Sequence, residues 1–190
     1  MHRTDHSDAS LVTGPPESFG LLFERYADQL YGFAARRVGR QAAEDLVAQT
    51  FLVAFAGRDR YDPTAPNARP WLYGILTNLL RGHRRAEVRA WRAQARAGTD
   101  PLDAARQTSE PHADVSSRLD AQAAVRTLAG ALAAMPRGQR DLLLLHVWAG
   151  MDYPELAATL GLPPGTVRSR LHRAKSRLRQ ALPDHYSPST

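Results

Sequence analysis

Apolar residues recur at helical spacing through most of the chain. Phe19, Leu22, Phe23, Tyr26, Leu30 and Phe33 form one stripe that runs up to Gly39, and a second stripe from about Gln41 carries Leu46, Val47, Thr50, Phe51 and Ala54. Residues 57–70 are a polar loop with Arg58, Arg60, Tyr61, Asp62-Pro63 and Pro66, and the loop ends at Pro70. A proline suits the first helical turn, where its missing N–H would have no partner anyway. The helix predicted after it has two faces: Leu72, Ile75, Leu76, Leu79 and His83 on one side, and Tyr73, Thr77, Asn78, Arg81, Arg84 and Arg85 on the other or its border. Farther on, Val125, Leu128, Leu132 and Met135 begin another helical group, Pro136-Arg137-Gly138 turns it, and the cluster from Leu142 to Trp148 supplies most of its core. Residues 139–149 are long for a strand and contain one β-branched residue, Val147, so the run of leucines at 142–145 is read as helix.

These elements predict an all-α fold of two small helical domains joined by a flexible linker. Residues 1–16 are polar, end in Gly14-Pro15-Pro16 and read as a disordered tail, with the first domain over 17–97. Arg89, Arg92 and Arg96 extend its basic end. The charge then changes sign: Asp100, Asp103, Glu110 and Asp114 mark an acidic linker over 98–117, broken by Gly98, Pro101 and Pro111. The second domain covers 118–182. Residues 183–190 are expected to form a flexible tail, with no added C-terminal regulatory domain.

Residues 153–175 carry the sharpest chemistry, because they have the spacing of a helix-turn-helix. Asp152 and Glu155 match a capping box, Pro154 falls harmlessly in the first turn, Ala157 is small where the helices cross, and Gly161 can take the positive φ of a tight turn. On the second helix Val167, Leu171, Ala174 and Leu178 collect on a buried stripe. Ser169, His172, Arg173 and Ser176 face outward, flanked by Arg168, Arg170, Lys175 and Arg177. Between Thr166 and Leu182 stand six basic residues and no acid, whereas an ordinary solvated face mixes both signs. Such a helix fits the DNA major groove and its phosphate walls.

The composition narrows the classes. The 190 residues carry a formal net charge of +6 and a pI near 10.3, which favours a polyanionic partner. Lys175 is the only lysine and Ile75 the only isoleucine, a bias typical of a GC-rich genome. With no cysteine there is no disulfide, thiolate metal site or cysteine nucleophile. His2 and His6 have the i, i+4 spacing of metal ligands but lie in the tail, and no metal or other cofactor is expected. No apolar run reaches the ~20 residues needed to cross a bilayer, and the polar start lacks a signal-peptide core, so the cytoplasm is the default compartment.

Three segments together resemble the extracytoplasmic-function (ECF) group of the sigma-70 family of RNA polymerase sigma factors. They are Ala43-Glu-Asp-Leu-Val-Ala-Gln-Thr-Phe51, Pro70-Trp-Leu-Tyr-Gly-Ile-Leu-Thr-Asn78 and Gly165-Thr-Val-Arg-Ser-Arg-Leu-His-Arg-Ala174. The resemblance covers residues 19–182. It implies that the first domain binds core RNA polymerase around Asp45, Leu46, Ala48, Gln49 and Phe51. The family usually carries Gln-Glu where this chain has Ala48-Gln49, so one charge is missing there. It further implies that the loop before Pro70 and the face with Tyr61, Trp71, Tyr73, Thr77, Asn78, Arg81, Arg84 and Arg85 capture the single-stranded −10 promoter element. Asn78 offers both a donor and an acceptor to a base edge, and the aromatic residues offer stacking surfaces. Arg168, Ser169, Arg170, His172, Arg173 and Arg177 would read or hold the duplex −35 element. The implied partners are core polymerase, promoter DNA and, for some members, an anti-sigma factor. A 20-residue linker at ~3.3 Å per residue spans up to ~65 Å, enough for the ~58 Å of a spacer of about 17 base pairs at ~3.4 Å each.

Two other classes compete. A stand-alone helix-turn-helix regulator would use the first domain for dimerisation or sensing, but would have no need for the 45–51 and 70–78 motifs together. A metal-dependent nuclease or recombinase would need carboxylates such as Glu44 and Asp45, or Asp59 and Asp62. Adjacent acids on a helix diverge by about 100°, and no third ligand stands at metal spacing.

Overall fold

The computed structural model describes residues 6–97 and 115–182, without the side chains of residues 84, 86, 97 and 115–121. Among the described residues there are helices and turns but no strand: α1 (Asp8–Thr13), α2 (Phe19–Val38), α3 (Arg40–Ala56), α4 (Arg69–Leu79), α5 (Arg84–Ala97), α6 (Val115–Ala134), α7 (Arg137–Trp148), α8 (Tyr153–Leu160) and α9 (Pro164–Ala181). Short 3-10 turns precede α2 (Pro16–Ser18) and follow α3 (Arg58–Arg60).

Helices α2 and α3 form an antiparallel hairpin about Gly39, whose φ of 91° lies where a side chain would be strained. Leu22, Leu30, Phe33, Ala43, Leu46, Val47, Thr50, Phe51 and Ala54 are buried in it and against α4, as their spacing predicts. Each large side chain so buried contributes about 1.5–3 kcal/mol. Phe23 is the exception: it stays half exposed, although its ring lies 4.8 Å from that of Phe51.

Three expectations need correction. The lead-in over 1–16 is not disordered throughout, because Asp8–Thr13 is helix α1. Ser7 caps it, Leu11 and Val12 are buried in the core, and the Asp8 carboxylate accepts hydrogen bonds from α2. Helix α4 does not run on through His83. It stops at Leu79, and i→i−3 bonds from Arg81, Gly82 and His83 form a turn before α5. The linker is shorter than 98–117, since α6 already begins at Val115. The remainder of that segment, and the tail over 183–190, lie outside the described residues.

The two halves also pack directly on each other. Helix α5 lies along α6, and α8 lies on α4 so closely that a Cβ on Gly74 would sit 3.0 Å from the carbonyl oxygen of Thr159. Phe33, Tyr73, Trp91 and Trp148 make an aromatic cluster across this junction. Four buried charges close it. Arg37 of α2 donates to Glu87 of α5 at 2.7 Å and to Asp141 of α7 at 2.5 Å, while Arg140 donates to Glu87 at 3.3 Å and to the Leu132 carbonyl at 2.9 Å. The pairing matters because lone charges in such a site would be prohibitively desolvated.

Candidate nucleic-acid and polymerase interfaces

The helix-turn-helix forms as its sequence predicts. Asp152 accepts from the Glu155 N–H at 2.8 Å and the Glu155 carboxylate accepts from the Asp152 N–H at 3.1 Å, completing the capping box. Gly161 takes the left-handed conformation at φ 61° and ends α8. Pro163 stands at the N-cap of α9 with no side-chain hydrogen bond, so rigid Pro163-Pro164 sets the start of this helix. Val167, Leu171 and Ala174 are fully buried, with Leu178 packed beside them.

That burial turns Arg168, Ser169, His172, Arg173 and Arg177 outward, all exposed. Arg173 is held over the preceding turn, donating to the Ser169 carbonyl at 3.2 Å. Two basic residues expected beside them behave differently. Lys175 lies 3.1 Å from the His146 imidazole, whose other nitrogen lies 2.9 Å from the Met151 carbonyl oxygen. Arg170 is half-buried against Gly138, in a cleft shared with Arg81, Arg137 and Asp141. Sequence spacing puts them on opposite flanks of the helix, about 140° apart, and residues of α7, Gly138 and His146, meet one on each side.

On the first half, the face assigned to the −10 element is divided. Asn78, Arg81 and Arg85 are exposed, and the side chain of Arg84 lies outside the described residues. Tyr73 and Thr77 are buried, contrary to a polar-face position: Tyr73 packs on Phe33 under the Arg69 guanidinium, and the Thr77 carbonyl accepts from Arg137 at 3.4 Å. Tyr73 is buried within the first half, between Phe33 and the Gln29 carbonyl of α2, while at Thr77 Arg137 arrives from the second half. Burial raises the Tyr73 phenol above its ordinary pKa, with Arg69 working in the opposite direction.

Of the three aromatic residues expected to stack, Trp71 is half-buried, while Tyr61 and Tyr73 are buried. Tyr61 and Trp71, with ring centroids 5.0 Å apart, line a cavity of about 450 Å³. Asp62, Ala65, Pro66, Asn67 and Pro70 of the loop form its walls, and Pro154, Glu155 and Ala158 of α8 close one side. Asp62 accepts from both the N–H and the hydroxyl of Thr64, which holds its carboxyl below the usual range and stiffens the loop. The size lies in the range of small-molecule pockets, ~300–1,000 Å³, so a single base has room there.

Of the residues assigned to polymerase, Asp45, Ala48 and Gln49 are exposed on α3, whereas Leu46 and Phe51 are buried in the core. The sequence reading missed Leu52. It is 70% exposed and follows Asp45, Ala48 and Gln49 at helical spacing, with half-exposed Val53 next to it. The available signal was a bulky apolar side chain outside the core stripe. Also missed was an open groove lined by Arg81, Arg85, Val88, Arg89 and Arg92, which extends the basic surface along α5.

Comparisons with known proteins follow the same division. The family model described as Sigma-70 region 2 matches residues 22–94, and that described as Sigma-70, region 4 matches residues 126–178. The chain is 35% identical over 175 residues to the ECF RNA polymerase sigma factor SigE of Mycolicibacterium smegmatis, covering 90% of this chain and 63% of that relative's length. It is 34% identical over 172 residues to the RNA polymerase sigma factor CarQ of Myxococcus xanthus, covering 89% of this chain and 91% of that one. Among solved structures, CnrH in complex with the cytosolic domain of CnrY matches with a TM-score of 0.59 at 28% identity, covering 95% of this chain and 96% of that one. The sigma factor RpoE in complex with the anti-sigma factor NepR from Bartonella quintana matches with a TM-score of 0.56 at 26% identity, covering 87% and 96%.

Proposed function

The chain belongs to the extracytoplasmic-function group of the sigma-70 family, and from that membership we propose that it serves as a promoter-specificity subunit of RNA polymerase. It binds core polymerase, recognises the −10 and −35 elements and aids promoter opening. One observation carries this reading over that of a stand-alone regulator. Besides its basic recognition helix, the chain matches Sigma-70 region 2 over residues 22–94 and presents there an exposed surface, Asp45, Ala48, Gln49 and Leu52 on α3, for a polymerase partner.

In this reading Arg168, Ser169, His172, Arg173 and Arg177 meet the −35 duplex, with Arg170 joining them once it leaves its cleft. Asn78, Arg81, Arg84 and Arg85 meet the −10 strand, and the cavity beside Tyr61 and Trp71 receives an extruded base. Tyr73, packed on Phe33 and reaching the Gln29 carbonyl, supports α4 from beneath, and Thr77 is released from Arg137 when the halves separate. The functional domains are residues 8–97, with α1 packed into the first, and 115–182. Sigma factors are not generally enzymes, and the chain's own part is binding. Among the described residues no helix is long and apolar enough to cross a membrane.

The closed arrangement bears on how this works. Promoter elements about 17 base pairs apart are separated by ~58 Å, yet α8 touches α4 and covers the cavity. The halves therefore separate before both elements are bound, and polymerase binding supplies the free energy. One of the structural neighbours is held by a protein named an anti-sigma factor, and a partner of that kind could act here by favouring closure.

Run-off transcription with purified core polymerase and genomic fragments tests the reading. Discrete transcripts that depend on this chain are expected. Sequence-specific duplex binding by the chain alone, with no transcripts, would transfer the assignment to the stand-alone regulator.

A further inference from the structure

The N-terminal helix brings a buried carboxylate to the loop that forms the cavity. Asp8 is 5% exposed and reaches three donors in two other parts of the fold. One oxygen accepts from the Arg25 guanidinium, and the other accepts from the Tyr26 hydroxyl and, at 2.7 Å, from the backbone N–H of Ala68. Ala68 is the N-cap of α4 and is itself fully buried. Its N–H ends the loop; Ala68 has no side chain to cap the helix, and the neighbouring Asn67 accepts only from the next N–H, that of Arg69, at 3.1 Å. The other end of the loop rests nearby: Tyr61 is buried, and α1 touches the 3-10 turn before it. Burial and the negative charge of Asp8 both push the Tyr61 phenol up in pKa.

Between these anchored ends the residues change character. Asp62, Pro63, Thr64 and Pro66 are exposed, and the cavity opens among them. The loop's inner bonds, at Asp62, Thr64 and Ala65, are local, so its pocket keeps its place against α4 only if the ends stay where they are. A binding constellation loses its selectivity when its groups shift by more than ~0.5 Å.

We propose that Asp8 is a positioning residue for −10 recognition: its carboxylate ties α1 and α2 to the backbone of Ala68 and so holds the capture loop over residues 61–68 in register with α4. The inference rests on the assignment of the −10 strand to this loop and helix. Asparagine at position 8 would keep the shape but must turn its NH2 group either toward the Arg25 guanidinium or toward the Ala68 N–H beside the Tyr26 hydroxyl, and Arg25 and Ala68 are donors only. A merely structural role would make promoter selectivity follow stability, whereas a positioning role separates the two.

The test uses holoenzyme assembled from core polymerase and the full chain. The probe is a single-stranded oligonucleotide copied from upstream of a run-off start site, compared with a scrambled copy. In Asp8→Asn the preference for the matched strand should fall at least tenfold, while affinity for core and for a −35 duplex stays within twofold. Tyr26→Phe removes one donor from the same oxygen and leaves the Ala68 bond. It should lower the melting temperature but keep the preference within twofold. The proposal is overturned if Asp8→Asn keeps its preference, or if Tyr26→Phe loses it in step with melting temperature. Asn78→Ala separates the two levels. If Asn78→Ala loses the preference and Asp8→Asn does not, only the role of Asp8 falls; if both keep it, the assignment of the −10 strand falls with it.

Discussion

Truncating Asp141 to alanine should open the molecule. The Arg37 side chain is completely buried and shares its charge between Glu87 and Asp141, which come from opposite halves. Removing one member of a buried ion pair costs about 3–5 kcal/mol, because the remaining charge has neither water nor partner. Glu87 stays 2.7 Å from Arg37, so the low end applies. About 3 kcal/mol amounts to a shift of about two orders of magnitude between closed and open forms, at ~1.4 kcal/mol per tenfold. The absence of cysteine makes the assay clean. Asp59→Cys beside the loop and Ala158→Cys on the wall of the cavity accept a fluorophore pair that is close in the closed form. Transfer efficiency should fall in Asp141→Ala. The double change Arg37→Met with Asp141→Leu should restore much of it, since Glu87 keeps Arg140 and apolar side chains tolerate the site. Unchanged efficiency, with stability within about 0.5 kcal/mol of the parent, would refute the reasoning, because that is the ordinary scatter of a surface substitution.

Three further outcomes follow from the geometry. Gly74→Ala improves helix propensity by up to ~1 kcal/mol but sets a methyl against the Thr159 carbonyl 3.0 Å away; the same fluorescence pair should report opening although no charge has changed. Replacing Arg85, Arg89 and Arg92 of the open groove with glutamine should lower the salt slope of holoenzyme–promoter binding by up to ~2.7, at ~0.9 per phosphate contact. An unchanged slope, measured by titration between 50 and 200 mM salt as in the range where such losses are large, would remove these arginines from the DNA path. Stability should decline as pH rises beyond about 10. Tyr26, Tyr61 and Tyr73 all have raised values, chiefly through burial. A raised folded value means that their contribution is complete below the unfolded value and is lost as pH climbs through the folded one. Melting curves from pH 7 to 11, with phenolate absorbance as the second readout, should show the ionisation of Tyr26, Tyr61 and Tyr73 accompanying the loss of structure rather than preceding it.

The sequence alone determined what is local. Periodicities near 3.6 located the helices because burying one stripe is the dominant local demand, and the capping box at Asp152, the turn at Gly161 and the outward set on α9 followed from spacing and backbone chemistry. The resemblance carried by residues 43–51, 70–78 and 165–174 pointed to a sigma factor before any contact was known. What tertiary structure decided depends on partners far away along the chain. Tyr73 and Thr77 have polar-border positions on α4, yet both are buried, Tyr73 against Phe33 and Gln29 of α2 and Thr77 where Arg137 arrives from the other half. Nothing local in the sequence marks Arg37 and Arg140 for burial; Glu87 and Asp141 make it tolerable. Asp8 lies in a polar segment that resembles a disordered lead, and only folding brings it to Tyr26, 18 residues away, and to Ala68, 60 residues away. Periodicity reports which face of a helix is apolar, whereas the free energy of a buried charge or a covered polar face is set by what packs against it.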